Sequence, residues 1–589
     1  MGESEPSTDG TVAGATRVCG TAKGGPRPVS SVPVTSNQPT AADTPEPATI
    51  ALTVNGTEVT VPDVGESLLV VLRERLNLLS VKDGCSPQGQ CGCCTVLVDG
   101  KPRVACVTPV RRVRGRSVTT LEGMEADRRD RWGQAFCDAG GSQCGFCTPG
   151  IVVRLDAAAR DLASADAEPM TTSEQAQVVD QAQVVDQAQV VDQALLAHLC
   201  RCTGWQTIHE AWERFVDTGG AAEVGNESRD LDAAGERATI EGRSPQTVSP
   251  SIALGQGGFS ADEAPADALV AVADGAGDWV VAETLTEARA LAGKVQGRRT
   301  TAPHDWPLEV PDGSWAATLR TTWVDGAYLE TDASWCRPGG EPASVVANGG
   351  AFGAKTDQPV AGGLNVAGAA RDLADRHGRP VLVLASREDV AARSPKRPPV
   401  AGGMRADGTG VLRVVTTPGL VDAVTAVAPG LAVEEVSVLG PPTSAAVRAA
   451  GWAEAVVLRA GATGVVGPVR SPEGAVAEAA IEGGTIKVMV GCGQVLDRTV
   501  LRSYCIGAAH MAWSWLTGEA MRVDDEGRVH DLTVRSFGVL RAVDTPSIEV
   551  EIVPGDGAPV NGSDAVFAAV AAAGWLEHGC QPDWPLTPA

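Results

Sequence analysis

Strict alternation of apolar and polar residues marks the first folded part of the chain. Residues 49–54 and 57–61 alternate in this way, and the Asn55-Gly56 pair between them is typical of a two-residue β-hairpin turn. Leucines at helical spacing in residues 66–76 predict a helix that packs on this hairpin.

A second hairpin is predicted over residues 95–107, with Asp99-Gly100 as its turn. Hairpin, helix and hairpin together predict a β-grasp domain over residues 49–125. The alternation then stops, and helical periodicity predicts a small helical bundle over residues 126–216.

Within this helical region the hexapeptide Gln-Ala-Gln-Val-Val-Asp occurs three times, over residues 175–192. A six-residue period fits neither an α-helix nor a heptad, so we interpret the repeat as a tandem expansion inside a connection between helices. Binding of a partner is the alternative role for the repeat.

Two polar segments divide the chain. Residues 1–48 are rich in Ser, Thr, Pro, Gly and Ala without an apolar period, which predicts a disordered tail. Residues 217–250 are again polar, which predicts a linker. Strands and helices alternate through residues 251–325 and 326–589, so the whole chain is predicted to be a multidomain α+β protein.

Composition excludes several classes of function. The formal net charge of -25 and the pI near 4.7 argue against nucleic-acid binding, because an acidic protein repels phosphate. We expect no membrane span, because no run of about 18 apolar residues occurs. We see no secretion signal and expect a cytoplasmic protein, since its cysteine spacing suits metal ligation in a reducing compartment.

Eight of the 15 cysteines fall into two groups. The first has the spacing C-x5-C-x2-C-x11-C and comprises Cys85, Cys91, Cys94 and Cys106. A glycine-bearing loop of thiolates with one further ligand downstream is typical of a plant-type ferredoxin. The second group comprises Cys144, Cys147, Cys200 and Cys202, in loops that open helices, and predicts one more cluster. Zinc is the alternative metal.

A glycine-rich loop over residues 347–355 allows the backbone to approach an oxo-anion or phosphate. An ordinary turn is the alternative interpretation.

The two cysteine patterns, in this order, resemble the iron–sulfur subunit of the xanthine dehydrogenase/aldehyde oxidase family of molybdenum hydroxylases. The resemblance covers residues 49–216. It implies two [2Fe–2S] clusters, with the first cysteine group farther from molybdenum and the second group nearer. It also implies that Gln143 lies toward the pterin. The family usually has four residues where Cys85 and Cys91 are separated by five, which makes Cys93 a rival ligand to Cys94.

The C-terminal part is similar to the family's molybdopterin-binding subunit only in pieces. Residues 251–325 resemble its hammerhead domain, and residues 349–355 resemble a loop beside the metal, which implies cofactor contacts from Gly350, Phe352 and Gly353. Arg448 lies in a segment similar to a substrate-side motif. Asp564 is the nearest carboxylate where the family carries a catalytic Glu base. Several family segments are missing, so this region is interpreted as a truncated molybdopterin-binding domain.

The resemblance implies an oxidoreductase that hydroxylates an aldehyde or N-heterocycle with water at molybdenum, with Asp564 as base and Arg448 orienting the substrate. Electrons would then pass through both clusters to a separate FAD-containing subunit or another acceptor. This oxidoreductase could also form a homo-oligomer. The alternative is an electron-transfer component whose molybdenum domain is degenerate.

Overall fold

The computed structural model describes residues 48–166, 187–217, 229–275, 277–293, 299–346 and 350–586. Four predicted features lie wholly or partly outside the described residues: positions 1–47 of the tail, the first two copies of the repeat, positions 218–228 of the linker, and positions 347–349 of the glycine-rich loop. The described residues all belong to one structural unit.

The N-terminal region contains a mixed five-stranded sheet, and both predicted hairpins are present in it. Its strands are β1 (Thr49–Val54), β2 (Thr57–Pro62), β3 (Thr95–Val98), β4 (Lys101–Val104) and β5 (Ser117–Thr119). The order is β2-β1-β5-β3-β4, with β1 parallel to β5. Asn55 and Asp99 have φ values of 51° and 49°, and the glycine after each also has positive φ. These are the left-handed residue pairs that a type I′ hairpin turn requires.

The predicted first helix is present but irregular. A short α-helical turn, α1 (Leu68–Val70), continues as a wider π-helical turn over Val71–Arg75. Its leucines are buried in the core beneath the sheet, as the spacing predicted.

Cys106 was predicted on the returning strand of the second hairpin, and this placement is wrong. It lies in a 3₁₀ turn, Ala105–Val107, immediately after β4. The backbone N–H of Ala105 donates to the carbonyl of Cys94 (3.1 Å), which turns the chain toward the cysteine loop.

The described residues of the next region form four helices: α2 (Ala126–Ala139), α3 (Thr148–Asp166), α4 (Gln187–Leu195) and α5 (Gln206–Asp217). Trp132 of α2 stacks on Phe215 of α5, with ring centroids 3.6 Å apart. The third copy of the hexapeptide repeat lies within α4, where Val191 is fully buried. That copy therefore contributes to the core of the helical region.

The predicted linker over residues 217–250 contains a helix, so the prediction is wrong for that part. Helix α6 (Leu231–Gly242) begins after Asp230, whose side chain accepts hydrogen bonds from the N–H groups of the next turn. Ala234 and Ala238 are buried at helical spacing.

The charged residues of α6 explain why the segment resembled a linker. Arg237 and Glu241 form an ion pair of 2.8 Å in which both side chains are fully buried. Glu241 also accepts hydrogen bonds from the backbone N–H groups of Gly562 (3.0 Å) and Ser563 (2.9 Å). These charges serve an internal contact with the C-terminal region, whereas the composition suggested exposure to solvent.

The C-terminal region contains three four-stranded sheets, ordered β7-β6-β10-β9, β13-β12-β11-β8 and β14-β15-β16-β17. Their strands are β6 (Leu269–Ala273), β7 (Trp279–Ala282), β8 (Ala317–Arg320), β9 (Ala333–Cys336), β10 (Val381–Leu384), β11 (Val400–Met404), β12 (Gly410–Val415), β13 (Leu431–Val436), β14 (Val469–Arg470), β15 (Val476–Glu482), β16 (Thr485–Gly491) and β17 (Ile548–Val553). The helices are α7 (Pro250–Ala253), α8 (Leu285–Ala292), α9 (Val366–His377), α10 (Arg387–Arg393), α11 (Leu420–Val427), α12 (Trp452–Thr463), α13 (Arg498–Thr517) and α14 (Ser563–Glu577).

Helices α13 and α14 pack against each other at the centre of this region, and α14 also packs against α12. Both α13 and α14 are buried around most of their circumference, as expected for helices inside a large core. Among the described helices, none combines the length and the apolar character that crossing a bilayer requires.

The C-terminal region is bound directly to the two cysteine-bearing regions. Arg201 forms a two-pronged ion pair with Glu519, at 2.5 and 2.8 Å, and both side chains are buried. Gln88, in the first cysteine loop, donates to Glu388 (3.0 Å) and to the carbonyl of Leu532 (2.8 Å). The cysteine loops are therefore part of an internal interface.

We predict that Glu241→Ala lowers the free energy of unfolding by about 3–5 kcal/mol, because it leaves the buried Arg237 charge without its partner. Asp232→Ala is the matched control, since Asp232 is exposed in the first turn of the same helix. This control is expected to cost less than about 1 kcal/mol. Urea unfolding followed by tryptophan fluorescence measures both. Equal effects of the two substitutions would contradict the buried ion pair.

Candidate metal centres

The first four cysteines converge on one buried position. Cys85, Cys91, Cys94 and Cys106 are 1%, 1%, 1% and 6% exposed. Backbone N–H groups of the loop point at their sulfurs: Gln88 donates to Cys85 Sγ (3.1 Å), and Cys106 donates to Cys94 Sγ (3.4 Å). Such N–H···S contacts stabilise negative charge on thiolates that bind an iron–sulfur cluster.

The thiols of this group also interact with one another. Hydrogen bonds from Cys106 and Cys91 lower the pKa of Cys85 to about 2, while the bond to Cys85 raises the pKa of Cys91 and of Cys106. The contacts therefore favour a thiolate, the form that binds metal, at Cys85.

Cys93 lies beside the group, on the side of Cys91. A Cβ atom at Gly84 would be 3.0 Å from Cys93 Sγ and 3.1 Å from Cys91 Sγ. By contrast, the sulfur of Cys94 accepts the N–H of Cys106. The geometry favours Cys94 over Cys93 as the fourth member.

The second four cysteines also converge. The sulfurs of Cys144 and Cys202 are 3.6 Å apart, and Cys200 Sγ lies 3.2 Å from Thr203 Oγ1. Hydrogen bonds from Cys147 and Cys202 hold the pKa of Cys200 well below its usual range. Cys147 immediately precedes α3, so its sulfur is close to the unpaired N–H groups of a helix N-terminus.

These arrangements bear on which metal the sites suit. Each group supplies four buried cysteine thiols. The four thiolate ligands of a [2Fe–2S] cluster are divided between two irons. The two groups therefore fit [2Fe–2S] clusters in number, chemical type and burial.

The two cysteine groups are joined by backbone contacts. The N–H of Leu199, the residue before Cys200, donates to the carbonyl of Cys91 (3.0 Å). Gly150, in the first turn of α3, lies against the first loop, where a Cβ atom would be 2.8 Å from the carbonyl oxygen of Cys93. Glycine is required at this position because any side chain would separate the two sites.

Gln143 lies between the second cysteine group and α13, where the resemblance placed a pterin. Its amide nitrogen donates to the carbonyl of Cys202 (3.1 Å) and to Ser503 Oγ (3.0 Å). Its amide oxygen is buried without a hydrogen-bond partner among the described residues. In this structure Gln143 joins the helical region to the C-terminal region.

The glycine-rich loop reaches the second cysteine group. Gly350 has a φ of 98°, and a Cβ atom there would be 3.0 Å from Cys144 Sγ and 3.3 Å from Cys202 Sγ. At Gly353 a Cβ atom would be 1.8 Å from the carbonyl oxygen of Ala446, so only glycine fits. The backbone of this loop packs directly on the sulfurs.

Arg448 lies on the other side of the loop and is 2% exposed. Its guanidinium stacks on the ring of Phe352 at 4.0 Å, and its backbone N–H donates to the carbonyl of Phe352 (3.0 Å). Burial lowers the pKa of Arg448, and the nearby carboxylate of Asp564 opposes this shift.

Asp564 is buried and bound by two guanidinium groups. Arg448 Nε lies 3.1 Å from its Oδ1, and Arg243 pairs with its Oδ2. A general base must face the proton that it removes. Asp564 does not line the cavity beside Phe352 and Arg448. In this geometry two guanidinium groups hold the carboxylate, and its catalytic role stays a prediction.

A molybdenum–pterin cofactor does not fit the space between the second cysteine group and Arg448. The cavity beside Phe352, Arg448 and Trp515 has a volume of about 20 Å³, which is room for a single water molecule. The cavity beside Cys144, Cys202 and Gly350 has about 10 Å³. Cavities that hold organic cofactors measure roughly 300–1,000 Å³.

Several residues at these sites were missed in the sequence. Arg201 and Glu519 pair beside the second cysteine group, and Arg243 of the predicted linker neutralises Asp564. Arg201 lies between Cys200 and Cys202, so the sequence alone predicts that it lies close to the site. Nothing in the sequence around Arg201 predicts its pairing with Glu519, which lies more than 300 positions away.

Two family models match the chain. A 2Fe-2S iron–sulfur cluster binding domain matches residues 52–111, and a [2Fe-2S] binding domain matches residues 120–213. Each match contains all four cysteines of one group.

Curated relatives match about 30% of the length of the chain. The nicotinate dehydrogenase small FeS subunit of Eubacterium barkeri is 36% identical over 171 residues, which cover 29% of this chain and 95% of the relative. The xanthine dehydrogenase of Calliphora vicina is 34% identical over 189 residues, which cover 30% of this chain but only 12% of that much longer protein.

The fold is similar over most of the chain to a solved structure, the aldehyde oxidoreductase of Desulfovibrio desulfuricans. The TM-score is 0.63 at 15% identity, and the match covers 89% of this chain and 97% of that one. At this identity the likeness concerns the fold alone.

We predict that Cys94→Ser reduces the iron content from about four to about two per chain, because one of two [2Fe–2S] clusters loses a ligand. Cys93→Ser is the control: it removes a buried thiol from the same loop and is expected to leave the iron content unchanged. Iron analysis and the visible spectrum measure both. The reverse pattern would assign Cys93 as the ligand.

Proposed function

Since the chain belongs to the xanthine dehydrogenase/aldehyde oxidase family, we propose that it acts in such a system as an electron carrier with two [2Fe–2S] clusters. Cys85, Cys91, Cys94 and Cys106 would hold the outer cluster, and Cys144, Cys147, Cys200 and Cys202 the inner one. The observation that carries this proposal is the direct backbone contact between the two buried cysteine groups, at the hydrogen bond from Leu199 to Cys91.

A [2Fe–2S] cluster accepts and releases single electrons when it is bound. The residues of this chain supply the conditions for that exchange. Burial of the thiols excludes water, and the N–H groups of Gln88 and Cys106 stabilise charge on the sulfurs of the outer site. Gly150 and Leu199 keep the two sites in contact, so an electron would pass between them along backbone bonds and one hydrogen bond.

In this proposal the C-terminal region is a scaffold. It covers the inner site with the loop at Gly350 and ties the helical region in place through Arg201 and Glu519. Because the cavity near Arg448 is too small for a molybdenum cofactor, electrons would arrive from a separate donor. They would leave to a separate acceptor, such as a FAD-containing subunit.

Hydroxylation of an aldehyde or N-heterocycle by this chain is the second candidate function. A buried polar atom without a hydrogen-bond partner among the described residues favours it, namely Nη2 of Arg397, a residue that lines the cavity beside Phe352 and Arg448. A ligand bound in that cavity would satisfy this atom. Rearrangement of the loop at Gly350 would be needed to admit one.

Metal analysis and bleaching of the visible spectrum test the proposal. We expect about four iron atoms per chain, molybdenum far below one per chain, bleaching by dithionite, and no bleaching by aldehydes or purines. A colourless protein that contains zinc would contradict both candidate functions.

Asp564→Asn separates the two candidates. In an electron carrier the substitution leaves the visible spectrum and the dithionite bleaching intact. Molybdenum near one per chain, with substrate-dependent bleaching that Asp564→Asn abolishes, would instead establish the hydroxylase and restore Asp564 as its base.

A further inference from the structure

A large cavity lies where the N-terminal region meets the sheet β7-β6-β10-β9. Its volume is about 580 Å³, within the roughly 300–1,000 Å³ that is typical of sites for small organic molecules. Its wall includes Val70 of α1, Val270 of β6, Arg289 of α8 and Leu382 of β10. The proposed electron transfer makes no use of this cavity.

One part of the cavity wall is apolar and buried. Phe146 and Phe259 line it as an edge-to-face pair, with ring centroids 5.0 Å apart. They are 7% and 1% exposed, and Leu69, Val270 and Leu382 add buried aliphatic surface to the same wall. Transfer of an aromatic or branched aliphatic group from water to this part of the cavity is therefore favourable.

Another part of the wall carries an ion pair that is only partly satisfied. Arg289 Nη2 donates to Asp83 Oδ2 (3.1 Å) and to Ser86 Oγ (3.4 Å). Among the described residues, Asp83 Oδ1 has no hydrogen-bond partner, and Arg289 donates through Nη2 alone. The two side chains are 19% and 29% exposed. A free acceptor and free donors therefore lie side by side in the wall.

The other carboxylates of the wall leave Asp83 and Arg289 as the pair best placed to recognise a ligand. Three of these carboxylates already bind cations of the chain: Asp262 binds Arg73 and Lys82, Glu283 binds Arg379, and Glu330 binds Lys355. Glu74 also lines the cavity and forms no ion pair among the described residues, so it adds negative charge that favours an ammonium group.

We propose that this cavity binds a free α-amino acid with a large apolar side chain. The ammonium group donates to Asp83, the carboxylate accepts from Arg289, and the side chain contacts Phe146 and Phe259. An α-amino acid carries both charged groups on one carbon atom, which matches a carboxylate and a guanidinium that are themselves in contact. The inference goes beyond the proposed electron-carrier function and does not depend on it.

Calorimetric titration of the full-length, iron-loaded protein with L-tryptophan tests the proposal. Tryptamine lacks the carboxylate of this probe, and indole-3-propionate lacks its ammonium group. Each analogue is therefore expected to bind about tenfold more weakly than L-tryptophan, because it loses one charge-assisted contact.

Two substitutions separate the charges of the site. Asp83→Asn is expected to weaken the binding of L-tryptophan and of tryptamine about tenfold and to leave indole-3-propionate unchanged. Arg289→Gln is expected to weaken L-tryptophan and indole-3-propionate and to leave tryptamine unchanged. Iron content reports whether Asp83→Asn preserves the neighbouring cysteine loop. Arg289, on α8, keeps the test decisive if it does not.

Arg413→Gln is the matched control. Arg413 is 33% exposed, pairs with Glu434 (2.9 Å) on the neighbouring strand and does not line the cavity, so binding of all three probes should be unchanged. Three outcomes would overturn the proposal: no binding of L-tryptophan, equal binding of the three probes, or equal weakening by Arg413→Gln and Arg289→Gln.

Discussion

Contact between two cysteine loops that are far apart in the sequence is the constraint on which the other features depend. In the proposed electron carrier little protein can lie between the two groups, and a side chain at position 150 would separate them. Gly150 meets this requirement, and Leu199 adds a hydrogen bond across the same contact. The sheet that presents the first loop and the helices that present the second are arranged around this point.

The C-terminal region meets the same site with a layer of buried charge. Arg201, Arg397 and Arg448 each pair with a carboxylate, and the last two also lie on aromatic rings. Such pairs gain little stability over an apolar core, but they are costly to separate and allow few alternative arrangements. They occupy the volume that a large cofactor would need, so the same residues that hold the regions together also close the cavity.

Sequence patterns revealed most of the N-terminal organisation because the signals there are local. Asn55-Gly56 and Asp99-Gly100 dictate turn conformation by themselves, and the cysteine spacings reflect ligand geometry within short loops. Helix α6 was missed because its charges are satisfied by residues such as Gly562 and Ser563, over 300 positions away. For the same reason the sequence carries no local signal for the pairing of Asp564 with Arg243.

The helices before and after the first two copies of the hexapeptide repeat limit the effect of the length of this segment. Helices α3 and α4 pack side by side, and Arg154 donates to the carbonyl of Ala194 (3.1 Å), so both ends of the connection are fixed independently of its length. Closing a longer loop is cheap, at about 0.6 kcal/mol for each doubling. Six-residue copies could therefore be added to or removed from residues 175–186 with little effect on the neighbouring cysteines.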